Sequence, residues 1–93
     1  MSTDFSFEIM AQLGVIQEYP TGWMKELNII SWNGNFPKYD IRDWSPNHEH
    51  MSRGITLSEA EMARMLEAVA EKGKDIKSLF DKARKKEAQE MER

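Results

Sequence analysis

The sequence lacks cysteine altogether, so neither a disulfide nor a thiolate metal site reinforces the fold. Its 93 residues make one domain, and a chain of this length supports little more than a single sheet covered by one helix. Self-association is the expected way to cover the apolar surface that remains. We therefore expect a homodimer, and the absence of cysteine favours an intracellular protein.

Long apolar runs are also missing from the sequence. No stretch approaches the roughly 18 consecutive apolar residues that a membrane-spanning helix needs. The acidic segment 1–8 lacks the basic start and the apolar centre of a signal peptide. We expect a protein without a membrane partner that lies in the cytoplasm, where nucleic-acid binding would associate it with the nucleoid.

An excess of basic residues, which usually marks a nucleic-acid-binding domain, is missing too. The chain carries 13 Lys and Arg against 16 Asp and Glu, a formal net charge of -3. Net charge does not decide the question, because the local potential depends on which face of the fold carries each charge. The strands must therefore be assigned before nucleic-acid binding is judged.

The sequence contains no motif of catalysis or cofactor binding: no glycine-rich phosphate loop, nucleophile elbow or HExxH. The cluster His48-Glu49-His50, with Asp43 nearby, resembles the spacing of metal ligands. Three loop residues without a second anchored ligand set do not define tetrahedral geometry, so a polar loop is the favoured interpretation. A metal-dependent enzyme using His48 and His50 stays open as a hypothesis. We predict a protein that is not an enzyme and holds no metal or cofactor.

Alternating apolar and polar residues predict strands. Gly14 interrupts the first of them and indicates a bulge or bend in an otherwise regular alternation that begins at Phe7. The Asn33-Gly34 pair is a strong hairpin signal because both residues tolerate positive φ. The four predicted strands span residues 5–19, 23–32, 38–44 and 51–57.

The periodicity becomes helical after the fourth strand. Ser58 and Glu61 match a capping box at the start of a helix of about fourteen residues. Gly73 is expected to end that helix, and residues 74–93 form a charged helical tail. The sequence thus predicts an α+β fold, a four-stranded antiparallel sheet followed by a C-terminal helix, with a binding domain of residues 1–73. The apolar stripe of the helix, assigned to the core or the dimer interface, comprises Met62, Met65, Leu66 and Val69.

Two unlike faces follow from the alternation. Leu27 and Ile29 are expected to face the helix, and the opposite face gathers aromatic and charged side chains. Bases stack on aromatic rings while Lys and Arg pair with phosphates, so this second face suits an unpaired nucleic-acid strand. A competing interpretation places the tryptophans in the core or a dimer seam, which would require a register break in both strands. The residues of the second face are Asn28, Trp32, Lys38, Asp40, Arg42 and Trp44.

Three further residues are candidates for nucleic-acid binding, although the alternation does not place them on the second face. Trp23 and Lys25 stand at the entrance to the second strand and share the parity of Leu27, so a core position fits them equally well. Arg53 lies on the predicted fourth strand. As isolated charges, such cations are ordinarily solvated neighbours of acidic residues. Their company with aromatic residues is what makes them candidates for binding.

Several of these segments resemble the transcriptional coactivator positive cofactor 4 family, and within it the short bacterial YdbC-like branch. The resemblance covers about residues 5–72. Its most specific features are the Asp-Ile-Arg run before an aromatic and the Gly-Ile-Thr-Leu run before the helix. The segments that carry it are 22–28 (GWMKELN), 31–34 (SWNG), 38–44 (KYDIRDW) and 53–58 (RGITLS).

The resemblance implies a homodimer that binds single-stranded DNA across the sheets of both subunits. Trp32 and Trp44 match the family's aromatic residues, Arg42 and Arg53 match its arginine and its basic residue before glycine, and the bacterial branch matches at two lysines, Lys25 and Lys38. Asn33 is a further candidate binding residue. It and Asn35 stand where eukaryotic members tend to carry lysine, and the serine-rich acidic N-terminal region of those members is lacking.

The predicted function is sequence-tolerant binding of single-stranded DNA, with single-stranded RNA as a second candidate ligand. Transcription, replication or repair is the expected context, and proteins of transcription or repair are the expected further partners. The other hypothesis is a protein-interaction module in which exposed Trp32 and Trp44 anchor a partner. Salt dependence separates the two hypotheses, because an aromatic anchor is much less sensitive to salt than phosphate contacts are.

Overall fold

The structure is a computed structural model that describes residues 5–91, with side chains described through residue 88. Its strands form one antiparallel sheet in the order β1-β2-β3-β4, and two helices follow. The predicted α+β class and the four-stranded antiparallel sheet are confirmed. The elements are β1 (Phe7–Glu18), β2 (Met24–Trp32), β3 (Lys38–Trp44), β4 (Ile55–Leu57), α1 (Glu59–Glu71) and α2 (Gly73–Met91).

Both tight turns of the sheet use residues with positive φ. Asn33 has a φ of 50° and Gly34 a φ of 74°, as the hairpin prediction requires. In the turn between β1 and β2, Gly22 has a φ of 91°, and its N–H donates to the carbonyl of Tyr19 at 2.9 Å. These turns set β1, β2 and β3 side by side.

The two faces of the sheet are named here after residues of β2. The Asn28 face carries Met24, Glu26, Asn28, Ile30 and Trp32, and the Leu27 face carries Lys25, Leu27, Ile29 and Ser31. Residues directly opposite each other on neighbouring antiparallel strands share a face. The pairing of the strands therefore assigns every residue of the regular ladders to one of these faces.

Strand β1 departs from a regular alternation. Its register against β2 shifts three times, once on either side of the pair Ala11 and Gln12 and once between Val15 and Gln17. The bulge expected near Gly14 is confirmed, but the single alternation from Phe7 onward is wrong. Phe7 lies opposite Trp32 on the Asn28 face, whereas Ala11 lies opposite Ile29 on the Leu27 face. Each inserted residue bends the strand and increases its twist.

The core lies on the Asn28 face. Ile30 and Trp44 are completely buried there, and the ring of Phe7 lies 5.3 Å from that of Trp44. Leu27 and Ile29, which were expected to face the helix, are half-buried on the other face. The physical reason is that the start of β1 carries its aromatic residues to the Asn28 face, where they cover it.

Strand β4 is shorter than the predicted 51–57. Met51 forms an isolated bridge with Trp44, and the regular ladder with β3 begins at Ile55. Gly54 lies so close to β3 that a Cβ there would overlap the Arg42 side chain and the Ile41 carbonyl oxygen. The chain thus crosses β3 at a glycine before it pairs.

Helix α1 begins with the predicted capping box. The Glu61 N–H donates to Ser58 Oγ at 3.1 Å, and the Ser58 N–H donates to Glu61 Oε1 at 2.7 Å. The described residues divide into two compact units within α1, after Met62, which is buried. The predicted break between two helical segments is confirmed, but α1 ends at Glu71 and Gly73 is the first residue of α2 rather than the residue that ends α1. Within residues 5–91, no helix combines the length and apolarity needed to cross a membrane.

Candidate nucleic-acid interface

Six predicted binding residues are brought to the Asn28 face. The ladder between β2 and β3 sets Asn28 opposite Asp40 and Ile30 opposite Lys38, so both strands present these residues on one side. The six are Asn28, Trp32, Lys38, Asp40, Arg42 and Trp44. Sharing a face does not give them the same exposure, and the face divides into a closed end and an open end.

Trp44 occupies the closed end. Its ring lies 5.3 Å from Phe7 and 5.5 Å from His48, measured between ring centroids, and the residue has no exposed surface. The expectation of an exposed Trp44 is wrong, because Phe7 and the loop that carries His48 cover it. A base has no access to this ring in the described structure.

Trp32 occupies the open end and is half-buried. Its ring lies 5.6 Å from Phe5 and 5.7 Å from Phe7, and these three rings are called the aromatic cluster below. Phe5 is 62% exposed. Strand periodicity missed Phe5 and Phe7 because the register shifts of β1 were not foreseen, although the Phe-Ser-Phe alternation was a signal. The cluster offers ring surface to solvent at the edge of a buried core.

Arg42 lies over the Trp32 ring, with its guanidinium carbon 4.6 Å from the ring centroid, a cation–π geometry. Its Nε and Nη2 donate to the two carboxylate oxygens of Asp40 at 2.7 and 2.8 Å. Asp40 is completely buried, and the Arg42 side chain is only 13% exposed. This bidentate pair neutralises the arginine and fixes it in place. Arg42 is therefore paired with Asp40 and held over Trp32.

A second polar group lies at the closed end. Asn28 Nδ2 donates to Glu26 Oε1 at 3.1 Å, and His48 Nε2 lies 2.9 Å from Glu26 Oε2. Asn28 and Glu26 are buried, so the expectation of Asn28 on an open surface is wrong. Sequence reasoning missed Glu26 and placed His48 in a polar loop, because nothing in the spacing shows that the loop returns to β2.

Two of the predicted cations, Lys38 and Arg53, are exposed. Lys38, the first residue of β3, is exposed and lies on the Asn28 face opposite Ile30. Arg53 is exposed and precedes Gly54, which lies so close to Arg42 that a Cβ there would overlap the arginine side chain.

Three other predicted binding residues lie elsewhere. Lys25 is half-buried on the Leu27 face, directly opposite Asp43, and Trp23 is half-buried just before β2. Asn33 is exposed in the hairpin turn, where its Oδ1 accepts the N–H of Ser6 at 2.8 Å. Asn33 thereby ties the start of β1 to the hairpin and holds Phe5 near Trp32.

The described residues provide no group of three or more His, Cys, Asp or Glu side chains that is arranged to hold a metal ion. His48 contacts Glu26, and His50 is exposed. The Asn28 face offers aromatic surface, fixed hydrogen-bonding groups and the exposed cation Lys38. These features allow a surface to hold a ligand that has flat rings and negative charge.

Comparison with known proteins gives two matches. The family model described as Transcriptional Coactivator p15 (PC4) matches residues 19–68, which is more than half of the chain. An uncharacterized protein of Treponema pallidum (strain Nichols) is 42% identical over 65 residues, covering 70% of this chain and 76% of that protein. The family match contains β2, β3 and β4 and every predicted binding residue from Trp23 to Arg53.

Proposed function

This chain belongs to the transcriptional coactivator p15 (PC4) family, and we propose that it binds single-stranded DNA, the activity for which that family is known. The observation that supports the proposal best is the aromatic cluster with Arg42 fixed over Trp32. Binding is sequence-tolerant and involves no catalytic step, and it serves transcription, replication or repair. The likeness to the bacterial YdbC-like branch forms part of this proposal.

Stacking supplies the affinity that does not depend on salt. Trp32 and the exposed Phe5 present ring surface on which bases stack, and each stacked base contributes on the order of 1–3 kcal/mol. The ion pair of Arg42 with Asp40 holds Trp32 in one orientation before DNA arrives. Less side-chain conformational entropy is then lost when DNA binds.

Phosphate contacts supply the part of the affinity that depends on salt concentration. Lys38 and Arg53 are exposed, whereas Arg42 is paired with Asp40 and Lys25 lies on the other face. Two free cations in each subunit make four in a dimer. At roughly 0.7 per phosphate for single strands, log affinity against log salt has a slope of about -3. An acidic protein with few free cations thus still binds DNA.

A homodimer is part of the proposal. Beyond the buried Met62, the apolar stripe of α1 leaves Met65, Leu66 and Val69 exposed, with Leu66 61% exposed. An exposed apolar stripe on a helix favours a partner helix, here that of a second copy. Light scattering should find a dimer for the unmodified protein and for Arg64→Glu, on another side of the helix, and a monomer for Leu66→Glu. A dimeric Leu66→Glu would exclude this interface.

The test of the proposal is fluorescence anisotropy with a labelled oligothymidine of about 20 nucleotides, titrated at several salt concentrations. We expect tight binding that salt weakens with a slope of about -3, and little affinity for the matching duplex. An oligouridine arm shows whether RNA is bound as well. If oligothymidine fails to bind even at low salt, the proposal is wrong and a protein partner for the aromatic cluster becomes the better account.

A further inference from the structure

A cavity of about 330 Å³ lies on the Asn28 face between β1, β2 and the loop after β3. Its size is at the lower end of the roughly 300–1,000 Å³ typical of small-molecule sites. Apolar and polar groups line it together, among them Leu13, Val15, Met24, Glu26, Asn28 and His48. The cavity lies next to Trp44, because His48, which lines the cavity, contacts the Trp44 ring.

The polar side of this cavity is rich in hydrogen-bond acceptors. Glu26 is 3% exposed, and its carboxylate is held by Asn28 Nδ2 and His48 Nε2. Asn28 Oδ1 is buried without a hydrogen-bond partner among the described residues. Buried polar atoms are nearly always satisfied, so an unpaired acceptor in a residue that lines a cavity points to a ligand that donates.

We propose that this cavity receives one base of the bound strand and prefers guanine, an inference that rests on the proposed function. Guanine presents two neighbouring donors, N1–H and the N2 amino group, to the acceptors Glu26 and Asn28. Thymine presents a single N–H between two carbonyl oxygens, which face acceptors unfavourably. The apolar side chains Leu13, Val15 and Met24 contact the plane of the base.

The consequence is a base preference at one position in an otherwise sequence-tolerant interface. Stacking on Trp32 accepts any base because every base has a π-face. A buried carboxylate beside a buried amide does not accept every base, because the wrong edge leaves these groups unpaired. The strand would therefore shift along the protein until a guanine enters the cavity.

Competition binding with three oligonucleotides of equal length tests this inference. The first is oligothymidine, the second carries isolated dG residues too far apart to form quadruplexes, and the third carries inosine, which lacks the 2-amino group, in place of dG. We expect the dG oligonucleotide to bind at least about fivefold more tightly than oligothymidine and inosine to lose most of that gain.

Paired variants locate the preference. Val15 lies opposite Glu26 and lines the cavity, whereas its neighbour Ile16 is not among the lining residues, and both are about equally exposed at 56% and 53%. Val15→Phe should abolish the preference for dG and retain oligothymidine binding, and Ile16→Phe should retain both. Glu26→Gln exchanges an acceptor for a donor and should also lose the preference. If Glu26→Gln does not fold, Val15→Phe decides.

The outcomes separate this inference from the proposed function. Equal affinity of the unmodified protein for oligothymidine and the dG oligonucleotide overturns the guanine site and leaves single-strand binding intact. A preference that survives in Val15→Phe overturns its location in this cavity. Failure to bind any of the three oligonucleotides overturns both proposals.

Discussion

Trp32 and Trp44 lie on the same face of the sheet in opposite surroundings. Trp44 is enclosed by Phe7 and His48 and has no exposed surface, whereas Trp32 is half-buried beside the exposed Phe5. Strand parity identifies the face on which a side chain lies, but what covers that face decides whether the side chain is available. We assign stability to Trp44 at the closed end and base stacking to Trp32 at the open end.

The cations Arg42 and Lys38 of this face also differ in whether they are enclosed or exposed. Arg42 is paired with the buried Asp40 and lies over Trp32, while Lys38 is exposed at the start of β3. A count of basic residues on the face would treat them as equivalent. We therefore expect substitutions of the enclosed residues to lower the free energy of unfolding and substitutions of the more exposed ones to weaken DNA binding.

The largest effect is expected for Trp44→Ala. Removing a buried tryptophan leaves a cavity in a thin core, which costs about 3–5 kcal/mol of the free energy of unfolding. Urea denaturation measures this loss, and Trp44→Phe, which keeps an aromatic ring against Phe7, serves as the milder control. A stable Trp44→Ala variant with greatly weakened DNA binding would place Trp44 on the binding surface and contradict its assignment to the closed end.

Arg42→Ala is expected to destabilise the protein by about 3 kcal/mol, because it leaves the buried Asp40 carboxylate without its partner. The double variant Arg42→Ala/Asp40→Ala removes both charges and should recover part of the loss in a double-mutant cycle. If Arg42→Ala keeps full stability and weakens only DNA binding, then Arg42 is a phosphate ligand and the positioning role is wrong.

Trp32→Ala is expected to act on binding. Loss of one stacked base lowers the affinity for oligothymidine by about 1–3 kcal/mol, measured by anisotropy at a temperature where the variant is folded. Phe36→Ala is the matched control, since Phe36 is 84% exposed in the loop before β3 and belongs to no described ring pair. Equal affinities of the two variants would contradict the assignment of stacking to Trp32.

The smallest effect concerns salt dependence. Lys38→Gln should reduce the magnitude of the salt slope by about 0.7 for each phosphate that the variant no longer neutralises. Lys25→Gln should leave the slope unchanged, because Lys25 lies on the Leu27 face opposite Asp43. A change of slope in Lys25→Gln instead would mean that DNA crosses the other face of the sheet.

Local signals in the sequence predicted most of the fold. Asn33-Gly34 adopts the positive φ values of a hairpin, and Ser58 with Glu61 forms the capping box, because both features depend on residues close to each other in the chain. The face shared by Trp32 and Arg42 also followed from strand parity. Each of these inferences needs only the local backbone geometry.

The predictions that were wrong depend on contacts between distant residues. The register shifts of β1 move Phe7 onto the Asn28 face, and a single glycine in the sequence does not reveal three shifts. The loop after β3 returns to β2 through His48 and Glu26, residues 22 positions apart. Together these two contacts bury Trp44 and create the cavity beside it.

The different roles of Trp32 and Trp44 are tested most directly by fluorescence. Each of three variants retains one of the three tryptophans, with the other two replaced by phenylalanine, and is titrated with oligothymidine. Stacking of a base on an indole ring quenches its fluorescence, so the protein that retains Trp32 should be quenched in proportion to binding, while the one that retains Trp44 should change little. Strong quenching of Trp44 together with an unchanged Trp32 would contradict the assignment of the open end to DNA.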